Sequence, residues 1–138
     1  MKFNQERDFT SHTIRAYSPG TISITLPADL EADTPKPVEV KTLDRSCIVS
    51  PKQLIEDWAP NSLGDLLAEH LREILALEPE VVLLGTGATL DFPAAEILAE
   101  LTTRQIGVEV MDTAAACRTY NILMHEGRQV VAGIMLGA

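Results

Sequence analysis

The stretch Val81-Val82-Leu83-Leu84-Gly85-Thr86-Gly87 decides the fold. Four aliphatic residues in a row are apolar on both faces when extended, as a central strand covered by helices on either side must be. The Gly-Thr-Gly turn ends it, and from there the chain alternates in kind. The sequence predicts a helix near Pro93 to Arg104 with Pro93 in its first turn, and a strand over Val108 to Met111. A helix from about Thr113 to Met124 and a strand over Val130 to Leu136 follow. Strand, helix, strand, helix, strand implies a layered α/β sheet with right-handed crossovers and a last strand parallel to its predecessors. Asp112 is placed to cap the helix after it, and Gly127 to close that helix in the left-handed conformation.

Upstream, Leu63, Leu66, Leu67, Leu71, Ile74 and Leu75 recur at i, i+3, i+4, i+8, i+11 and i+12. This predicts one continuous helix, with Ser62 and Asp65 as its capping pair and Pro79 as its stop. Before Pro60 the period shortens. β-Branched residues alternate with polar ones around Ile14, Tyr17, Ile22 and Ile24, and Ser18-Pro19-Gly20 between them predicts a hairpin. Short strands are expected over Val38 to Thr42 and Ser46 to Ser50, with Pro27 to Pro37 as a connection that has little to bury. Trp58 is expected to pack over the sheet edge. The whole of 1–138 reads as a single α/β domain, with a β-rich front half over 1–60 and helix and strand alternation over 61–138.

A chain of 138 residues, 46% hydrophobic and 22% charged, has the composition of one globular domain with a real core. Eleven Lys and Arg against 20 Asp and Glu give a net charge of −9. That charge repels nucleic acid and anionic lipid, and no basic run overrides it. Neither a nucleic-acid partner nor membrane insertion is expected, since the apolar runs fall far short of the ~20 residues a spanning helix needs. Cys47 and Cys117 are too few for a disulfide framework and lack metal-ligand spacing, so a reducing cytoplasm is expected, with one bridge between them left open. Met1 to Asp8 has no apolar signal core, and its acids argue against a mitochondrial transit peptide.

Ligands of α/β proteins bind outside the carboxyl ends of strands, which makes Gly85-Thr86-Gly87 the natural place for a site. A dinucleotide fingerprint would need glycine where Leu90 stands, and a phosphate loop would need a Gly-Lys-Ser/Thr ending that is absent. Asp112, at the end of the next strand, is placed to meet a ribose hydroxyl or simply to cap a helix. The alanines of Asp112-Thr113-Ala114-Ala115-Ala116-Cys117 let that helix approach a sheet closely. Cys117 lies beyond the first turn, where a helix lowers a thiol pKa, and reads as a packed small hydrophobe. Arg118 is placed to meet an anion or a partner's carboxylate, although a solvated arginine is the commoner case. His12, His70 and His125 have no second ligand at i+3 or i+4, so no metal or other cofactor is expected. The pairs Glu69/Glu73 and Glu96/Glu100 read as solvated helix faces, and no catalytic set emerges. The candidate ligand- or partner-binding residues are Gly85, Thr86, Gly87, Asp112, Thr113, Arg118, Tyr120 and Asn121.

Leu83-Leu84-Gly85-Thr86-Gly87, the run Gly107 to Thr113, Ala116-Cys117, Thr119-Tyr120-Asn121 and His125-Glu126-Gly127-Arg128 closely resemble a known pattern. It is that of the small domain-of-unknown-function family that includes the mitochondrial respiratory complex I (NADH dehydrogenase) assembly factor 3. The resemblance covers about Val81 to Arg128 and extends back to Ser46. It implies a three-layer fold: a central mixed sheet of about five strands, helices packed on it, and an additional N-terminal β layer. It also implies a last strand antiparallel to the others, against the parallel direction read above. In function it implies a non-catalytic interaction domain, an accessory or assembly factor with a protein partner. The residues themselves keep an alternative, a protein or enzyme that binds a small anionic ligand or nucleotide through the Gly85 loop and Arg118.

Overall fold

The structure, a computed structural model, describes residues 10–28 and 37–137. Residues 29–36 of the expected Pro27-to-Pro37 connection lie outside the described residues. Three strands come first, β1 (Thr13–Ser18), β2 (Thr21–Thr25) and β3 (Val40–Leu43), and form an antiparallel sheet in chain order. The hairpin expected around Ser18-Pro19-Gly20 is present, with Ser18 opposite Thr21. A second sheet takes β4 (Cys47–Val49), β5 (Leu54–Ile55), β6 (Val81–Gly85), β7 (Gly107–Met111) and β8 (Val130–Ile134), in the order β5-β4-β8-β6-β7. Helices α1 (Ala68–Leu75), α2 (Ala95–Thr102) and α3 (Thr113–His125) cover it.

The sheet is mixed because β8 runs parallel to β6 but antiparallel to β4. The last strand therefore follows the direction read from strand and helix alternation, and the strand opposed to it is β4. Alternation along the strands divides the core in two. Val81, Leu83, Val130, Ala132, Cys47 and Val49 face α3 and the N-terminal sheet, where Ile14, Ile22, Ile24, Cys117 and Tyr120 join them. Val82, Leu84, Val131 and Ile48 face the other way, among Trp58, Leu66, Leu71, Ile74 and Leu101. A strand buried on both faces needs that double apolarity, and β6 and β8 are buried throughout.

The structure differs from these expectations at the leucine stripe, at Trp58 and at the ends of α2. The stripe from Leu63 to Leu75 is two elements: a 3₁₀ turn over Leu63–Asp65, then α1 beginning only at Ala68. Leu66 and Leu67 between them are extended, which sends Leu66 into the core and leaves Leu67 half exposed. The capping signal also moves: the Ser62 side chain caps nothing, and the Leu67 N–H donates to His70 Nδ1 at 2.9 Å. Trp58 is 1% exposed and packs over Gly133 of β8, the middle strand, with its Nε1–H donated to the His70 carbonyl at 3.2 Å. A methyl group at position 133 would stand 2.7 Å from Trp58 Cη2 and 2.9 Å from Ile74 Cδ1. Glycine there is what lets the indole lie on the sheet. α2 is also trimmed at both ends, with Pro93 two residues ahead of its first helical residue.

Candidate functional site

The parallel strands β6 and β7 and the start of α3 converge at one end of the sheet, where five of the eight candidate residues meet. β6 ends at Gly85 and the chain turns. The Thr86 N–H donates to the Met111 carbonyl at 2.9 Å, which continues the ladder one step beyond the strand. The Thr86 hydroxyl donates to the Thr89 carbonyl at 2.7 Å and accepts the Asp91 N–H at 3.3 Å, so one side chain fixes the shape of the loop.

Thr113 locks that loop to α3. Its buried hydroxyl accepts the Gly87 N–H at 2.8 Å and donates to the Met135 carbonyl at 2.9 Å, and its own N–H donates to the Gly87 carbonyl at 2.9 Å. Asp112 caps the helix as expected, its Oδ1 accepting the Ala115 N–H at 2.8 Å. A Cβ on Gly85 would fall 2.9 Å from Thr113 Oγ1 and 3.1 Å from Thr113 Cα, so glycine is what permits α3 to start this close to the strand. The far end of α3 closes at Gly127 with φ 81°, also as read from the sequence.

Tyr120 and Asn121 form a separate group two turns along α3. The Tyr120 hydroxyl donates to the His12 carbonyl at 2.8 Å. Asn121 accepts the Ile14 N–H at 3.0 Å and donates to the Ile14 carbonyl at 2.7 Å, standing in for a strand partner of β1. The register of β1 against β2 shifts beside this contact, between Ile14 and Ala16. Arg118 is exposed and makes no ion pair among the described residues. The eight candidates thus fall into a loop-to-helix junction, a clamp on β1, and one exposed cation.

Electrostatics around α3 favour neutral groups. Burial pushes the Cys117 thiol up to about 12, with Arg118 pulling it partway back, and burial likewise pushes Cys47 up to about 12. Both thiols are free and buried. Tyr17 is raised too, first by burial and then by its proximity to Cys117 and Asp112. Among the described residues no group of three or more His, Cys, Asp or Glu is placed to hold a metal ion. No helix among them is long and apolar enough to cross a membrane. The structure adds exposed residues outside the eight candidates: the apolar Leu90 and Phe92 of the loop, and the acid Glu109 of β7. The acid between two valines in Val108-Glu109-Val110 is the available signal, because it marks β7 as the strand of the five-stranded sheet with exposed residues.

Fold and junction together define a small three-layer α/β domain in which a strand-to-loop turn is bolted to the start of a helix. The chain belongs to the family described as protein of unknown function (DUF498/DUF598), which it matches over residues 14–135. It is similar to the zebrafish (Danio rerio) protein named NADH dehydrogenase [ubiquinone] 1 alpha subcomplex assembly factor 3. They are 42% identical over 91 residues, 64% of this chain and 52% of that protein. It is also similar to a Francisella tularensis protein named 13 kDa major membrane protein, 41% identical over 70 residues, 51% of this chain and 57% of that one. The chain spans about half the length of the curated relatives it matches. Among solved structures, an NMR structure from Xanthomonas campestris superimposes with a TM-score of 0.74 at 38% identity, covering 99% of this chain and 93% of that one.

Proposed function

We propose that this chain is a non-catalytic protein-interaction domain that works in the cytoplasm as an accessory or assembly factor. The observation that carries the reading is the 42% identity over 91 residues with a protein whose name makes it an assembly factor of NADH dehydrogenase. Local chemistry supports it. The hydroxyls of Thr86 and Thr113 and the carboxylate of Asp112 are engaged in the fold's own hydrogen bonds, which fits a structural role for them. The buried thiols suit a reducing compartment.

The test is purification of the tagged chain, expressed at native level in its own cell, at low salt and without crosslinker. A protein partner in near-equal molar amount is expected by quantitative mass spectrometry. A second arm measures assembled NADH dehydrogenase on native gels from cells lacking the chain, where a reduced amount is expected. A chain that purifies alone, from cells whose complex assembles normally without it, overturns the proposal.

A further inference from the structure

We propose that the outer edge of β7 is a docking strand for an extended segment of a partner protein carrying a lysine or arginine opposite Glu109, with apolar residues on either side. The inference rests on the interaction-domain reading and names the kind of partner that this domain takes.

β7 ends the five-stranded sheet. Its ladder to β6 is parallel, Val81 opposite Gly107 and Gly85 opposite Met111. The Gly107 N–H donates to the Glu80 carbonyl at 3.3 Å, and the Met111 carbonyl accepts the Thr86 N–H. Residues of a strand turn their main-chain groups to its two sides alternately, so Gly107, Glu109 and Met111 bond to β6. The amides and carbonyls of Val108 and Val110 point outward, and no other strand among the described residues pairs with them. An edge of this kind is a template for strand addition.

The side chains say which strand fits. Val108 and Val110 sit at the half-buried margin of the core on the side covered by α2, ready to extend it with apolar neighbours. Glu109 stands exposed on the opposite face. A second copy of this chain is a poor occupant: full antiparallel overlap of two β7 strands puts Glu109 opposite Glu109, and like charges directly opposite destabilise a pair. The same carboxylate attracts a base. Because its own main chain is turned to β6, its opposite on an antiparallel added strand forms a non-hydrogen-bonded pair, the closer of the two spacings, about 4.5 Å between Cα atoms. Asp91 and Glu96, exposed on the connection from β6 to β7, add negative charge, against Arg104 near the start of the strand. Leu90 and Phe92 are 52% and 65% exposed on the same connection.

The experiment titrates the ¹⁵N-labelled chain with a short synthetic peptide alternating valine and lysine, and separately with its valine and glutamate counterpart. The lysine peptide is expected to shift the amide resonances of Val108 and Val110, to slow their hydrogen exchange, and to bind about fivefold more tightly than the glutamate peptide. Glu109→Lys is expected to reverse that preference. Val110→Pro, which removes an outward N–H and leaves the ladder to β6 intact, is expected to abolish binding. Shifts that fall elsewhere, no response to the lysine peptide, or a preference untouched by Glu109→Lys overturn the proposal. Partners from the cell that stay bound to both variants also remove this edge as the docking strand, while leaving the assembly reading in place.

Discussion

Thr113 shows how much one hydroxyl does at the junction. It satisfies a buried N–H from Gly87 and hydrogen-bonds the carbonyl of Met135, tying loop, helix and the end of the middle strand together. Thr113→Val keeps the shape and leaves both groups without a partner, which is expected to cost about 1–3 kcal/mol for each. Thr113→Ser is expected to restore most of that, and denaturant unfolding of the two variants measures the difference. The sequence disclosed part of this arrangement. Asp112 was readable as a cap because its partner, the Ala115 N–H, lies three residues away. Met135 was not readable as a partner of Thr113, because that bond needs β8 already in place beside β6. The same holds for Tyr120 and Asn121: both stand among the candidates, but the groups they bind, on His12 and Ile14, lie 108 and 107 residues away in the chain.

Elements were legible where their signal is local. β6, β7, α3 and β8 follow from hydrophobic runs, the Asp112 cap and Gly127, all read within a few residues. The long leucine stripe misled, because Leu66 reaches the core from an extended segment and not from a helix, and period alone does not separate the two. The sequence puts Trp58 at an edge because nothing near it in sequence reveals that Gly133 lies beneath its ring. That pairing makes a prediction about packing. Gly133→Ala forces a methyl into the indole and is expected to destabilise by about 1–3 kcal/mol, with a change in tryptophan fluorescence as the ring is displaced. The N-terminal sheet is fastened to α3 partly through Asn121, so Asn121→Ala is expected to raise hydrogen exchange across β1 before it affects β6 or β8. Equal acceleration in all three strands would show that the clamp is no local fastening.

The molecule as a whole stores two neutral thiols in one core cluster, and that gives it an alkaline limit. Each thiol has an ordinary value of 9.0 and is raised to about 12 in the fold. The stability they contribute is complete below about pH 9 and is lost as pH climbs from there through 12, because the unfolded chain then releases protons that the folded one retains. Unfolding midpoints in denaturant are expected to hold below pH 9 and fall steadily above it, and a Cys47→Ala, Cys117→Ala double variant is expected to flatten that fall. At pH 8 neither thiol of the folded chain is expected to react with iodoacetamide, while both react after denaturation. Sheet order carries a consequence of another kind. β8 is the central strand of its sheet and, among the described residues, the last strand to be made, so on the ribosome β4 and β5 on one side and β6 and β7 on the other have no common neighbour until residues 130–134 emerge. The sheet closes only once β8 has been made, after its four other strands, which makes its closure a late event and leaves earlier nascent chains with two unjoined pairs of strands for chaperones to cover.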